Sequence, residues 1–229
     1  MILLPHHAAL LLDLDGTLID IAPTPDSVVV PSDLPGSLVS LRARLSDALA
    51  IVTGRPIAQV DALLPGVPYA IAGEHGCVIR HAPEAPEIRT AVPQVPASWL
   101  REAETLVAAH PGAILESKAR GFVLHYRQVP EAGPIFAAAL STLMQGWPHH
   151  AVGAAHMAWE IKPCGIDKGR AVTALMAQAP FAGRVPVFLG DDLTDEDGMR
   201  VARKMGGLGL RVQDHFGDAA GVRNWLAQL

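Results

Sequence analysis

Two aspartates stand where a short apolar run ends, and their spacing suits chemistry on a charged group. Asp13 and Asp15 follow the run that begins at Ala8 and come directly before Gly16 and Thr17. At positions i and i+2 of an extended strand, both side chains point to the same side. A carboxylate at the end of such a run is costly to bury unless a cation or a proton accompanies it. The alternative is a pair of loop aspartates that cap the next element.

A second group of acidic residues follows another apolar run, Val185 to Leu189. Five acidic side chains fall within the seven positions 191–197. Acids favour the first turn of a helix, so a solvated helix start is one interpretation. So dense a cluster nevertheless repels itself unless a cation is near. In a parallel sheet both acidic groups would lie at carboxyl ends of strands, where such folds bind ligands. Carboxylates without histidine or cysteine indicate a hard cation, Mg²⁺ before Zn²⁺.

Two further segments carry groups that attract anions. Thr53, Gly54 and Arg55 follow an apolar run and precede a helical pattern, and they offer a hydroxyl, a permissive backbone and a guanidinium. Lys168 opens a predicted helix, where its ammonium group and the helix dipole would both attract phosphate. Either segment alone is a weak indication of an anion site, since a lone lysine is usually a solvated surface residue. Together with the acidic groups they indicate a site for a phosphate group and Mg²⁺.

Apolar periodicity predicts the elements that must position these residues. In the first and last thirds of the chain strands alternate with helices, which predicts an α/β fold with a doubly wound, Rossmann-like parallel sheet. The predicted strands are 8–14, 48–53 and 185–189, and the predicted helices are 33–45, 168–178 and 192–204.

The middle of the chain has a different pattern. Prolines punctuate residues 83–96, and Pro163 marks the return to the first pattern. Between them we predict helices at 98–110 and 135–144, strands at 113–117 and 122–126, and two later strands. This order suggests a smaller α+β cap domain inserted into the core. We therefore expect the core to comprise residues 1–84 and 161–229, and the cap to comprise residues 85–160.

Composition narrows the classes of function. The chain has 229 residues, 50% of them apolar, and a formal net charge of −5. The mildly acidic balance argues against nucleic acid and anionic membranes as partners. No apolar run reaches the roughly 20 residues of a spanning helix. Cys77 and Cys164 have no metal-like spacing, so a reducing, cytoplasmic location is the expectation. A short single chain without heptads is expected to be a monomer.

These motifs resemble, in order, the four motifs of haloacid-dehalogenase-type phosphatases. They are the segment Asp13-Leu14-Asp15-Gly16-Thr17-Leu18, then Thr53, Lys168, and the acidic block after Gly190. The chain also resembles the bacterial trehalose-6-phosphate phosphatase branch of that superfamily. The segments that carry this likeness lie between residue 11 and about residue 197, and they are Thr53-Gly54-Arg55, Gly73-Glu74-His75-Gly76, Glu116-Ser117-Lys118, His125-Tyr126-Arg127, Glu160-Ile161-Lys162-Pro163, Lys168-Gly169 and Gly190–Glu196.

The resemblance implies a mechanism for the core residues. Asp13 would be the nucleophile that forms an aspartyl-phosphate intermediate, and Asp15 the general acid and then the general base. Thr53 and Lys168 would hold phosphate oxygens. Mg²⁺ would be held by Asp13, the backbone carbonyl of Asp15, and Asp191.

The resemblance leaves one assignment open and implies a substrate. Either Asp192 or Asp195 would support Lys168 or metal-bound water. The implied substrate is trehalose 6-phosphate, hydrolysed to trehalose and phosphate in the last step of trehalose biosynthesis. The residues expected to contact it are Asp13, Asp15, Gly54 and Arg55 in the core, and Glu116, Lys118, Arg127 and Glu160 in the cap.

Lys118 and Arg127 lie on neighbouring predicted strands, so we expect them to face one cleft. Carboxylates accept hydrogen bonds from sugar hydroxyls, and lysine or arginine donates them. Without the resemblance, two exposed strand charges would be the preferred interpretation.

Two alternatives stay open. A related sugar-phosphate phosphatase or phosphomutase would share the core, and the Glu116–Arg127 segment is the feature that favours trehalose 6-phosphate. A non-catalytic sugar-phosphate sensor would lack Asp13 or Asp15, and both are present.

Overall fold

Apolar runs along the chain form two separate sheets in this computed structural model, which describes residues 4–5, 7–22, 27–118, 120–155 and 157–229. The strands of the larger sheet are β1 (Ala8–Leu12), β2 (Leu49–Val52), β3 (Ala70–Gly73), β4 (Val78–Arg80), β5 (Ile88–Arg89), β10 (Val185–Gly190) and β11 (Leu208–Arg211). Their order across the sheet is β11-β10-β1-β2-β3-β4-β5. The pairs from β11 to β3 are parallel, and β4 and β5 add antiparallel edge strands. This confirms the predicted mainly parallel α/β core.

The central strands β1, β2 and β3 of the larger sheet are buried on both faces. Every residue of β1, β2 and β3 is buried, although successive side chains point to opposite faces. A strand of this kind has a continuous apolar sequence, and helices must pack on both faces of its sheet. The covering helices are α1 (Leu34–Arg44), α2 (Ile57–Leu63), α5 (Lys168–Met176), α6 (Asp195–Lys204), α7 (Val212–His215) and α8 (Ala219–Leu226).

The smaller sheet has four antiparallel strands and belongs with two helices. The elements are α3 (Ala97–Ala109), β6 (Ile114–Lys118), β7 (Gly121–His125), α4 (Ala132–Leu143), β8 (His150–Ala155) and β9 (Ala158–Pro163). The strand order is β6-β7-β9-β8. One face of the sheet packs on the helices through Phe122, Leu124 and Ile161. The alternate residues of these strands therefore lie on the other face, which carries charged side chains.

The two sheets belong to two compact units whose limits differ slightly from the expected domain boundaries. One unit runs to Thr90 and resumes with Ile166–Leu229, and the other is Ala91–Gly165. The expected boundaries at 85 and 161 would detach β5 from β4 and would cut β9. Because a strand stays with the sheet to which it is hydrogen-bonded, both boundaries move to the far side of a strand.

The predicted elements correspond to observed ones within a few residues, and several observed elements were not predicted. These are β3, β4, β5, β11, α7 and α8. Among the described residues, no helix combines the length and apolar character needed to cross a membrane.

Candidate active site

Three neighbouring parallel strands bring the predicted core residues to one edge of the larger sheet. β10, β1 and β2 are adjacent and parallel, so their carboxyl ends lie side by side. Asp13 follows β1, Thr53 follows β2, and Asp191 follows β10. The backbone N–H of Asp13 donates to the carbonyl of Leu189 at 2.9 Å, which continues the β1–β10 ladder to the site.

Asp13 is a buried carboxyl group with a cationic partner. Its Oδ1 accepts from Lys168 Nζ at 2.6 Å, and its Oδ2 accepts from the Thr17 hydroxyl at 3.2 Å. Only 4% of the residue is exposed. Burial raises the pKa of Asp13, and Lys168 acts in the opposite direction. The geometry thus holds both carboxyl oxygens in place at the end of β1.

Lys168 connects two acidic groups from different parts of the chain. It is the first residue of α5, whose cap is Asp167, which accepts from the Arg170 N–H at 2.8 Å. The Nζ atom donates to Asp13 and also to Asp195 Oδ1, in each case at 2.6 Å. Burial alone would lower the pKa of Lys168, but the two carboxylates raise it, so the side chain stays an ammonium group.

Asp195 and Asp192 have different hydrogen-bond partners, although the sequence offers no reason to choose between them as the partner of Lys168. Asp195 contacts Lys168, and its Oδ2 also accepts from the N–H groups of Asp191 and Asp192 at 3.0 and 3.1 Å. Burial raises the pKa of Asp195 to about 8, and Asp13 adds to the effect. Asp192 instead accepts from the N–H and hydroxyl of Thr194 at 2.8 Å and from the Asp195 N–H at 3.1 Å.

The electrostatics of Asp192 agree with that difference. Although burial opposes it, Lys168 and the hydrogen bonds of Asp192 lower its pKa below the ordinary value. Asp192 therefore stays a carboxylate that caps the start of α6, and Asp195 is the residue that orients the lysine.

The acidic cluster fits a divalent cation. Asp13, Asp191 and Asp195 each offer a carboxyl oxygen, and these atoms lie within 4.8 Å of one another. Burial raises the pKa of Asp191 to about 6, and the charges of Asp13 and Asp192 add to the effect. Three carboxyl groups thus share one ammonium group, and a cation with oxygen ligands would neutralise the remaining charge.

A glycine makes room for the acidic cluster. Gly16 has φ +79°, and a Cβ built on it would collide with the carboxylate of Asp191. Only a residue without a side chain allows that carboxylate to reach the end of β1. Asp195 accepts from Lys168 and two backbone N–H groups, whereas each oxygen of Asp13 accepts a single hydrogen bond.

The Thr53–Arg55 loop lies at the end of β2 with one unexpected contact. Thr53 is 1% exposed, and its hydroxyl oxygen accepts from the Arg55 N–H at 3.1 Å. A hydroxyl that accepts this bond can still donate its own hydrogen. Arg55, expected to contact substrate, has its guanidinium on Asp15 with N···O distances of 2.6 and 2.7 Å. It also donates to Gln59 at 3.2 Å.

Several cap residues of the sequence prediction share the open face of the smaller sheet. Glu116 and Glu160 are both in register with Val123 of the intervening β7, so the three point to the same side. Lys118 Nζ donates to Glu160 Oε1 at 3.0 Å, and Glu116 Oε2 lies 2.9 Å from His125 Nε2. This face carries charged donors and acceptors side by side.

Lys118 and Arg127 lie towards opposite ends of one hairpin, and the expectation that they face one cleft stays a prediction. The register of the β6–β7 hairpin pairs Lys118 with Gly121 and Ile114 with His125. Arg127 comes after β7 ends, so it lies beyond the opposite end of the hairpin from Lys118. Neighbouring strands alone do not bring two residues together, because the turn position sets which residues are opposite.

The geometry adds one residue to the acidic cluster and one to the open face of the smaller sheet, and the sequence prediction assigned neither. Gly16 belongs to the motif after β1, and a glycine that begins a turn directly after Asp15 is a signal for positive φ. His125 is the last residue of β7, two positions after Val123, so it lies on the same open face as Glu116. The hairpin register places His125 there, and local sequence patterns do not determine that register.

Solved structures show which fold this chain has. A haloacid dehalogenase-like hydrolase from Bacteroides thetaiotaomicron aligns with a TM-score of 0.63 at 13% identity, covering 96% of this chain and 98% of that one. The trehalose-6-phosphate phosphatase of Aspergillus fumigatus aligns with a TM-score of 0.66 at 24% identity, covering 96% and 92%. At these identities the likeness establishes the fold, which is that of haloacid dehalogenase-like hydrolases.

Sequence comparison identifies the family within that class. The trehalose-phosphatase family model matches residues 11–220. The trehalose-6-phosphate phosphatase of Escherichia coli K12 is 40% identical over 204 residues, covering 87% of this chain and 75% of the relative. A probable trehalose-phosphate phosphatase of Sinorhizobium fredii is 39% identical over 208 residues, covering 89% and 77%. The chain belongs to the trehalose-phosphatase family.

Proposed function

We propose a role for each residue at the strand ends in the reaction of this family. That reaction is hydrolysis of trehalose 6-phosphate to trehalose and phosphate. Family membership makes the chain a phosphoric monoester hydrolase with that small-molecule substrate. The observation that carries the proposal is the buried Asp13–Lys168–Asp195 contact at the carboxyl end of β1. It presents a fixed carboxylate beside a fixed cation, as attack on a phosphate ester requires.

In the first half of the reaction Asp13 is the nucleophile. A carboxyl oxygen of Asp13 forms a bond to phosphorus while the bond between phosphorus and the ester oxygen of the sugar breaks. Protonated Asp15 donates its proton to that oxygen, and trehalose leaves. Phosphorus then belongs to an aspartyl-phosphate group on Asp13.

In the second half water replaces Asp13 on phosphorus. The Asp15 carboxylate accepts a proton from the water, whose oxygen forms the new bond to phosphorus as the bond to Asp13 breaks. Phosphate leaves, and both aspartates return to their first state. Arg55 donates to both oxygens of the Asp15 carboxylate, so it orients the base of this second half in addition to its predicted place at the substrate.

The phosphate group needs positive charge and donors around it. Lys168 supplies an ammonium group, Thr53 a hydroxyl, and Gly54 a backbone without a side chain in the way. Asp13, Asp191 and the backbone carbonyl of Asp15 would hold Mg²⁺, because their donors are all oxygen. When bound, the ion neutralises oxygens of the transferring phosphoryl group, which otherwise repel a carboxylate.

The sugar hydroxyls are the proposed ligands of the open face of the smaller sheet. Lys118 is a donor, and Glu116 and Glu160 are acceptors on the same side. Arg127, which follows β7, remains a proposed substrate contact. The monomeric state, the cytoplasmic location and the lack of nucleic acid or membrane partners stay predictions.

The test is phosphate release from trehalose 6-phosphate set against glucose 6-phosphate, sucrose 6-phosphate and mannose 6-phosphate. Each substrate is run with Mg²⁺ and again with EDTA, beside the variant Asp13→Asn. We expect a strong preference for trehalose 6-phosphate, which EDTA and the substitution both abolish. Asn keeps the shape of the side chain and removes the nucleophilic charge.

Other outcomes would support the alternatives. Metal-dependent turnover of a different sugar phosphate would keep the mechanism and refute the assignment of the sheet face. Conversion of one sugar phosphate into another without phosphate release would indicate a phosphomutase. Binding without any turnover would indicate the sensor.

A further inference from the structure

We propose that the Glu74–Gly76 turn fixes the position of the Thr53–Arg55 loop, with His75 as a positioning residue for phosphate binding. The inference rests on the proposed role of that loop and goes beyond it, because none of the roles assigned above uses these residues. The turn follows β3 directly and is a short 3-10 turn. Its contacts with the loop are of two kinds, backbone and side chain.

The backbone of the turn holds the loop on both sides of Gly54. The N–H of His75 donates to the carbonyl of Thr53 at 2.9 Å. The N–H of Glu74 donates to the carbonyl of Arg55 at 3.0 Å. Thr53 and Arg55 are the neighbours of Gly54, so the central residue of the loop lies between two anchored peptide groups.

The turn adopts a backbone conformation that needs support from its surroundings. Glu74 and His75 have φ +51° and +56°, and neither is a glycine. Two consecutive side-chain-bearing residues in the left-handed region persist only where other contacts hold them. One such contact is the ion pair of Glu74 with Arg89 of β5, with N···O distances of 2.7 and 2.8 Å.

The imidazole of His75 limits the space beside Gly54. A Cβ built on Gly54 would lie 2.7 Å from the Cε1 and Nε2 atoms of His75. No residue with a Cβ could stand there without moving the ring or the loop. Since the φ of Gly54 is not in the left-handed region, the reason for glycine at this position is the ring of His75.

The other side of the turn contacts the helix that carries Lys168. A Cβ built on Gly76 would lie 2.8 Å from the carbonyl oxygen of Asp167, the cap of α5. Arg170 Nη1 donates to the carbonyl of Gly76 at 3.2 Å. The turn therefore lies between the two elements proposed to hold phosphate, and it sets the spacing between Thr53 and Lys168.

A double-mutant cycle on the full chain tests the side-chain contact. The variants are Gly54→Ala, His75→Gly and the two combined, and glycine at 75 keeps the left-handed backbone while it removes the ring. We expect Gly54→Ala to lower kcat/KM for trehalose 6-phosphate by about 100-fold, because a small displacement of a positioning element has effects of that size. The His75→Gly variant should lose about tenfold, and the double variant no more than that.

A second measurement does not depend on turnover. Calorimetry with inorganic phosphate should give a weaker Kd for Gly54→Ala, and the added His75→Gly should relieve that weakening. His75→Asn, which removes the ring and tolerates the left-handed region, gives the same information if the glycine variant does not fold. Ser46→Gly is the matched control, since Ser46 has φ +49° in the loop after α1, and it should leave kcat and phosphate affinity unchanged.

The outcomes separate this proposal from the proposed function. Losses that add in the double variant would overturn the positioning role, as would a lower Tm with unchanged kcat and phosphate affinity. Failure of the wild-type chain to hydrolyse trehalose 6-phosphate would refute the function instead, and the phosphate titrations would still decide whether His75 positions the loop.

Discussion

At the scale of single residues, the fold makes the ionised form of the Asp191 carboxyl group less favourable. It is half-buried at the end of β10, and its pKa is raised to about 6 from an ordinary 3.8 by burial and by the charges of Asp13 and Asp192. A folded state that binds a proton more tightly than the unfolded chain loses stability as that proton leaves. The stabilising contribution of protonated Asp191 is therefore present below about pH 4 and is lost as pH rises through about 6.

We predict that Asp191→Asn removes this pH dependence. In EDTA, the free energy of unfolding of the wild-type chain minus that of the variant should fall between about pH 4 and about pH 7. Urea unfolding at several pH values measures the difference, in which the titration of groups that do not interact with Asp191 cancels. Adding Mg²⁺ at about pH 7 should stabilise the wild type more than the variant. A difference that stays constant over the pH range would contradict the raised pKa.

At the scale of elements, α5 and α6 must lie close together because Lys168 and Asp195 begin them. Gly169 is the second residue of α5, and a Cβ there would lie 2.7 Å from the carbonyl oxygen of Asp197 and 2.8 Å from Val201 Cγ2. A methyl group at this position would push the two helices apart. Elsewhere in a helix the same change is favourable, since alanine has the higher helix propensity.

We predict opposite effects for two glycine-to-alanine substitutions. Gly169→Ala should lower the free energy of unfolding by about 1–3 kcal/mol, as overpacking does, and should lower kcat because the Lys168–Asp195 contact is disturbed. Gly36→Ala, in α1 with no atom within 4 Å of the added Cβ, should raise it by about 0.5–1 kcal/mol with kcat unchanged. Urea unfolding and steady-state kinetics measure both. Equal stabilisation by the two substitutions would show that the packing of α5 on α6 leaves room for a methyl group at residue 169.

At the scale of the whole molecule, the two units carry different parts of the proposed chemistry. The larger unit holds the groups for phosphoryl transfer, and the smaller one presents Glu116, Lys118 and Glu160 on one sheet face. A substrate with a sugar should need both units, whereas a small phosphate ester should need the larger unit alone. A substitution in the smaller unit should therefore affect the two substrates unequally.

We predict that Lys118→Ala lowers kcat/KM for trehalose 6-phosphate by about tenfold to a hundredfold, the range expected for loss of a charged hydrogen bond. Turnover of phenyl phosphate should stay within about threefold of the wild type, since the reacting groups are untouched. Arg101→Ala, an exposed cation on α3 in the same unit, is the control and should change neither rate. Equal losses on both substrates would refute a role in sugar recognition.

The sequence alone was sufficient to predict which residues lie together at the carboxyl ends of the central strands. Asp13, Thr53 and Asp191 each follow an apolar run, and adjacent parallel strands bring their carboxyl ends to one edge whatever the loops between them do. The strand β3 was not predicted, because its four residues have no distinctive pattern and owe their conformation to pairing with β2. Local periodicity determines a strand only when the run is long enough to stand out.

Only the tertiary structure decided the contacts that depend on distant partners. Lys168 meets Asp13 from 155 positions away and Asp195 from 27, which is why Asp195 and not Asp192 orients it. The hairpin register put Lys118 and Arg127 at opposite ends, and the turn after β3 placed His75 against Gly54. The sequence determined which groups end which strands, because that is local; packing and register determined which of them touch, because those depend on the whole chain.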